Sequence, residues 1–278
     1  MQGGPVVACP EEQPSGAEPG GCAGETGSAR VVNPGRCMSI YLSISKHPGG
    51  LAARCAEVLE TLGHQAQERD DRFIVALSSS PTLHEVYSRW AAQSTLDWSR
   101  VTVLADQERL GSSGDGGNGG DALEESLLRS LPARPQVIRP ETATEDPEQA
   151  AKAFEAQIRE VLGRNGRAHV SLLDLGVDGH TAALYPGSEA VRESDRLCLP
   201  IVSPQGESEY TLTVPFLRRT HKLMFVAMGS ERADAVRRVM EGKLVPEDVP
   251  AQFFLRDDRL NVNLLLDEAA ATGLARRV

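Results

Sequence analysis

The sequence predicts one α/β domain with a mostly parallel central sheet and helices on both faces. Short unbroken apolar runs such as Phe73–Leu77 and Val170–Leu175 are what a strand looks like when both its faces are buried. Other segments repeat their apolar residues at helical spacing, as Leu51, Cys55, Val58, Leu59 and Leu62 do. The two kinds alternate along the chain, which is the pattern of successive βα units.

Taken in order, residues 1–37 hold eight glycines and five prolines, with Val6-Val7 and Val31-Val32 as their only aliphatic pairs. Such a stretch buries too little apolar surface to offset ordering, so a disordered tail is predicted over 1–37 and the folded domain over 38–278. Met38 opens the first strand, and a helix carries the Leu51–Leu62 stripe before the Phe73–Leu77 strand. A helix from Pro81 places Leu83, Val86, Tyr87 and Trp90 on one face, and a strand follows at Val101–Ala105. After a Gly-rich loop at 111–120 come a helix over 121–131, a short strand near Val137, a helix over 147–162 and the strand at 170–175. The remaining strands are expected at 197–202, 210–214, 223–228 and 262–266. Helices are expected at 215–220, at 230–241 and at the C-terminal end. No internal repeat interrupts this pattern.

Composition removes several classes of function. With 40% hydrophobic and 24% charged residues the chain is neither collagenous nor wholly disordered. Its net charge of −10 argues against a nucleic-acid or anionic-membrane partner, each of which needs a basic footprint, while leaving a small phosphorylated ligand open. No apolar run approaches the length of a membrane span. Cys9, Cys22 and Cys37 lie in the tail, and Cys55 and Cys198 lie in apolar segments. No C-x-x-C spacing marks a zinc or redox site, and the odd count fits a reducing compartment. The start of the chain has no basic and apolar leader pattern, and Glu11, Glu12, Glu18 and Glu25 are foreign to a transit peptide. The expectation is a cytoplasmic monomer that uses neither metal nor cofactor.

The segment Ser171–Gly187, SLLDLGVDGHTAALYPG, carries the chemistry. A buried strand runs into Gly176, Val177, Asp178, Gly179 and His180, and in parallel sheets ligands bind beyond the carboxyl ends of the strands. The glycines permit a tight turn and close backbone approach, and the amides that follow can face an anion. Histidine can take a proton from water near neutral pH, and Asp178 can orient its ring. Taken alone, D-G-H is equally a turn whose Asp and His cap a helix.

The longer string GVDGHTAALYPG resembles the signature of the 6-phosphogluconolactonase family, G-x-D-G-H-T-A-S-L-F-P-G. Gly176, Asp178, Gly179, His180, Thr181, Ala182, Leu184, Pro186 and Gly187 match it, with Ala183 for the serine and Tyr185 for the phenylalanine. Related glucosamine-6-phosphate deaminases share D-G-H but continue I-A-F-N-E-P, which this chain does not. The likeness spans about residues 40–275. It implies a Rossmann-like sheet of the glucosamine-6-phosphate deaminase/ribose-5-phosphate isomerase-like fold. The activity it implies is hydrolysis of 6-phospho-D-glucono-1,5-lactone, without metal or covalent intermediate, with His180 as general base and Asp178 as its orienting partner.

Further matches to the family are partial. Its phosphate loop, S-G-G-S-T-P, becomes Ser78, Ser79, Ser80, Pro81 and Thr82; this reads either as a phosphate nest using hydroxyls or as a Ser-capped helix start with proline at its first position. D-E-R-x-V corresponds to Asp106–Leu110. A one-residue insertion makes Arg109 the family's arginine, whereas an ungapped match puts Glu108 there. Asn118 stands for the S-N-Y asparagine, with Leu127-Leu128 following. Tyr210–Thr213 matches R-I-T-L-T, with Glu209 in place of the arginine, and G-x-x-K becomes Gly229–Arg232. By this resemblance Ser78, Ser79, Thr82, Arg109, Gly176, Gly179 and Arg232 bind a phosphosugar lactone. A catalytically silent sugar-phosphate-binding or interaction module of the same fold is the alternative.

Other motifs carry less. Gly114, Gly116 and Gly119 satisfy G-x-G-x-x-G only because the loop is glycine-rich, and His84-Glu85 lacks a second histidine. There is no G-x-S-x-G elbow. His169, Met224, Phe225 and Met228 read as structural.

Overall fold

The structure is a computed structural model that describes residues 7–9, 26–33, 36–111, 119–163 and 166–275. The first half comprises β1 (Val7–Cys9), β2 (Thr26–Asn33), β3 (Arg36–Ser45), α1 (Pro48–Asp70), β4 (Phe73–Leu77), α2 (His84–Gln93), β5 (Val101–Ala105), β6 (Gln107–Arg109), α3 (Gly119–Ser126) and β7 (Gln136–Ile138). There follow α4 (Pro147–Leu162), β8 (Ala168–Asp174), β9 (Cys198–Val202), β10 (Ser208–Leu212), α5 (Val214–Leu217) and β11 (Thr220–Ala227). The chain closes with α6 (Ala233–Met240), α7 (Gln252–Leu255), β12 (Val262–Asp267) and α8 (Glu268–Ala271).

The main sheet has the order β1-β2-β3-β12-β11-β8-β4-β5-β7, parallel from β3 onward. Alternate residues of its strands feed two cores. Phe73, Val75, Leu77, Val170, Leu172, Met224 and Val226 pack with α1 and α2, while Ile74, Ala76, Leu173, Phe225 and Leu264 pack with α4, α6 and α7. Burial on both faces accounts for the unbroken apolar runs. Trp90 and Trp98, with ring centroids 4.9 Å apart, fill the first core beneath α2.

A second, antiparallel sheet, β6-β10-β9, lies against the carboxyl end of β5 and was not expected from the sequence. The strands expected at 197–202 and 210–214 belong to it and not to the parallel sheet. The helix expected over 215–220 is a single turn, capped by the Thr213 hydroxyl, because Thr220 already begins β11.

The disordered tail expected over 1–37 is corrected at two places. Thr26–Asn33 and Val7–Cys9 are antiparallel strands added to β3, and the rest of 1–25 lies outside the described residues. Backbone pairing orders a strand at a sheet edge without a large side-chain core. Asn118, Gly114 and Gly116 also lie outside the described residues.

Candidate active site

The candidate residues gather where β4, β5, β8 and β11 end, the position at which parallel sheets bind ligands. Beyond β8 the chain turns sharply: the Gly179 amide donates to the Gly176 carbonyl (3.0 Å) and the Gly176 amide to the His180 carbonyl (2.9 Å). Both glycines are required by what surrounds them. A Cβ on Gly176 would stand 2.1 Å from Cε1 of His180, so the imidazole lies directly on the bare backbone. Gly179 has φ +91°, and its Cβ would meet Val249 at 2.7 Å. Ala182 is held at φ 47°, and the amide of Ala183 donates to the Thr211 hydroxyl (3.1 Å), tying the turn to β10.

His180 and Asp178 form a close pair. Nδ1 of His180 lies 2.5 Å from Oδ1 of Asp178, and the His180 backbone amide donates to the same oxygen at 2.9 Å. Burial raises the Asp178 pKa, but the bonds from the His180 ring and amide outweigh it and leave the carboxyl below its ordinary range. An anionic Asp178 accepting from Nδ1–H leaves Nε2 with its lone pair available. Tyr185 flanks the imidazole, ring centroids 5.1 Å apart, and its hydroxyl donates to Glu209 at 3.0 Å.

Glu209 therefore borders the site. Burial pushes its carboxyl up, while Tyr185 and Arg109 act against that. Arg109 faces Glu209 in the β6–β10 register, half-exposed, with its guanidinium 2.8 Å from Glu207. Glu108, the ungapped candidate, is buried, which favours Arg109 as the cation of this edge.

The loop after β4 takes the capped-turn form: the Ser80 hydroxyl accepts from the Thr82 amide, and Pro81 opens a short helical turn. Ser78 is buried, its carbonyl accepting from Tyr87 at 2.5 Å, and Ser79 is buried beside it. Asp106, fully buried, is pushed far above the usual carboxylate range by burial, with the Ser78 hydroxyl acting against it.

One participant lies outside the sequence motifs. Asp174, the last residue of β8, accepts at Oδ2 from the Ser80 hydroxyl (2.7 Å), the Thr82 hydroxyl (3.3 Å) and the Arg232 guanidinium (3.3 Å). Its sequence signal was a lone carboxylate inside an apolar run, since a buried charge needs partners. Its backbone carbonyl accepts from the Thr181 hydroxyl at 3.0 Å, so one residue touches both the loop and the histidine turn. Among the described residues, no group of three or more His, Cys, Asp or Glu could hold a metal ion.

Residues 46–262 match the family described as glucosamine-6-phosphate isomerases/6-phosphogluconolactonase, and the chain belongs to that family. The 6-phosphogluconolactonase of Synechocystis sp. is 28% identical over 205 residues, covering 72% of this chain and 84% of that protein. The 6-phosphogluconolactonase of Nostoc sp. is 27% identical over 232 residues, covering 81% and 94%. A 6-phosphogluconolactonase structure from Shewanella baltica superposes with TM-score 0.75 at 16% identity, covering 81% of this chain and 97% of that one. A monomeric glucosamine-6-phosphate deaminase superposes with TM-score 0.73 at 17% identity, covering 85% and 100%. The fold is thus common to lactonases and deaminases.

Proposed function

We propose that the protein hydrolyses 6-phospho-D-glucono-1,5-lactone to 6-phospho-D-gluconate, the second step of the oxidative pentose phosphate pathway. The observation that carries this reading is the His180–Asp178 pair at the carboxyl end of β8, within a turn that continues as the lactonase signature. Curated relatives named 6-phosphogluconolactonase support it, and the non-catalytic alternative is not favoured.

In this mechanism Nε2 of His180 takes a proton from a water as that water attacks the lactone carbonyl. Asp178 fixes the tautomer through Nδ1 and stabilises the imidazolium that forms. The tetrahedral oxyanion collapses with loss of the ring oxygen, which recovers the proton from His180. Turn amides offset the developing negative charge, while the Arg232 guanidinium is held by Leu175, Met228, Glu231, Thr82 and Asp174. Ser78, Ser79 and Arg109 are left for the phosphate end of the site, since the Thr82 hydroxyl is engaged with Asp174, and Gly176 and Gly179 let the substrate approach the backbone. The protein acts in the cytoplasm as a monomer, a placement supported by the free, buried Cys55 and Cys198.

His180→Ala should lower lactone opening by about 10²–10⁴-fold with an unchanged circular dichroism spectrum. Unchanged turnover would overturn the mechanism. Ammonia release from glucosamine 6-phosphate would instead favour a deaminase.

A further inference from the structure

The loop expected to receive the substrate's phosphate is already occupied by a group of the protein itself. Arg232 has five N–H donors, and all five are engaged. Nε donates to the Leu175 carbonyl (3.0 Å), and one terminal nitrogen donates to the Met228 carbonyl (3.0 Å) and Glu231 (2.7 Å). The other donates to the Thr82 hydroxyl (2.9 Å) and Asp174 (3.3 Å). The hydroxyls of Ser80 and Thr82 point their protons at the same Asp174 oxygen, whose carboxylate partner, Oδ1, is buried and accepts no hydrogen bond. Arg232 and Asp174 are 15% and 14% exposed, so solvent screens their pairing little.

A phosphate dianion entering here would find a cation already neutralised by Asp174 and Glu231, hydroxyl protons already given away, and a fixed like charge beside it. It carries no proton with which to bridge to a carboxylate. An uncharged hydroxyl does carry one, and so does a singly ionised phosphate. We infer that Asp174 is a specificity-determining residue, one that holds Ser80, Thr82 and Arg232 in the place of a phosphate and opens this site to lactones without a phosphate. The inference rests on the lactonase reading for the reaction, and on the loop geometry alone for the choice of substrate.

The test is calorimetric titration of gluconate and 6-phosphogluconate, the open-chain products, into the wild-type chain and Asp174→Asn, which keeps the shape and removes the charge. The wild type should prefer 6-phosphogluconate by less than about tenfold, and the variant should raise that preference at least about tenfold as the Arg232 charge is released. A wild-type preference beyond about a thousandfold would overturn the inference even if the variant failed to fold. An unchanged preference in a folded variant would also overturn it. Lack of lactone opening would sink the proposed reaction while leaving this ratio to stand or fall by itself.

Discussion

Glu209 shows how one side chain can differ from its family's residue without closing the site. It stands where an arginine is expected, yet the Tyr185 hydroxyl caps it, and Arg109 supplies positive charge from the paired strand. Burial holds its folded-state pKa above the unfolded value near 4.5, so the chain bears the cost of a buried charge at pH above the folded value. Below the unfolded value both states are protonated and the cost vanishes. Glu209→Gln should therefore raise the melting temperature near neutrality, by a margin that fades as pH falls through the folded value and is gone below about 4.5. Differential scanning calorimetry across pH checks this, and a gain that persists in acid would contradict it. The residue-level signal was uneven. The Asp178–His180 motif is legible because it sits inside the longer string GVDGHTAALYPG, in which Gly176 also has a recognisable place. Asp174 is hidden in the sequence because a single carboxylate at the end of an apolar run looks like the edge of a strand, and only the three-dimensional meeting of β8 with the 78–82 loop reveals its partners.

Among the elements, legibility followed burial. β4 and β8 could be read because both their faces lie in core, whereas β6 is Gln107-Glu108-Arg109, three polar residues ordered by backbone pairing to β10. β2 was concealed in a similar way: Val31-Val32 before Asn33-Pro34-Gly35 is a hairpin signal, masked by the glycine and proline content around it. The antiparallel sheet is fastened to α4 by charge as well as by packing. Arg196, just before β9, donates to Glu155 (2.9 Å) and Glu148 (2.8 Å), and its carbonyl accepts from the Thr213 hydroxyl. Burial raises the Glu155 pKa, but Arg196 and Arg159 outweigh it and hold the carboxyl low. Arg196→Ala leaves Glu155 nearly buried with Arg159 as its remaining ion-pair partner, a loss of about 1–3 kcal/mol. Thermal denaturation should show it as roughly 2–4 °C per kcal/mol. Because the folded pKa lies below the unfolded one, the pair's contribution is present above about pH 4.5. The deficit should shrink as pH falls through the folded value.

For the molecule as a whole, the net charge of −10 sets the long-range field that an anionic sugar meets. That field opposes approach, and salt shortens its reach from about 30 Å at 0.01 M to about 8 Å at 0.15 M. Over that range kcat/KM for the phosphorylated lactone should rise a few-fold, while the value for gluconolactone stays level. Steady-state kinetics in graded sodium chloride measures it, and a fall with salt would show that local cations dominate capture. Asp174 has one further consequence. Its carboxylate anchors the loop after β4, and its carbonyl anchors the turn bearing His180. Grip on the far end of the sugar and the aim of the proton acceptor thus share a single mechanical pivot at the tip of β8. A change that reshapes one is transmitted to the other, and variants selected for a new substrate tail will carry an altered catalytic pH profile with them.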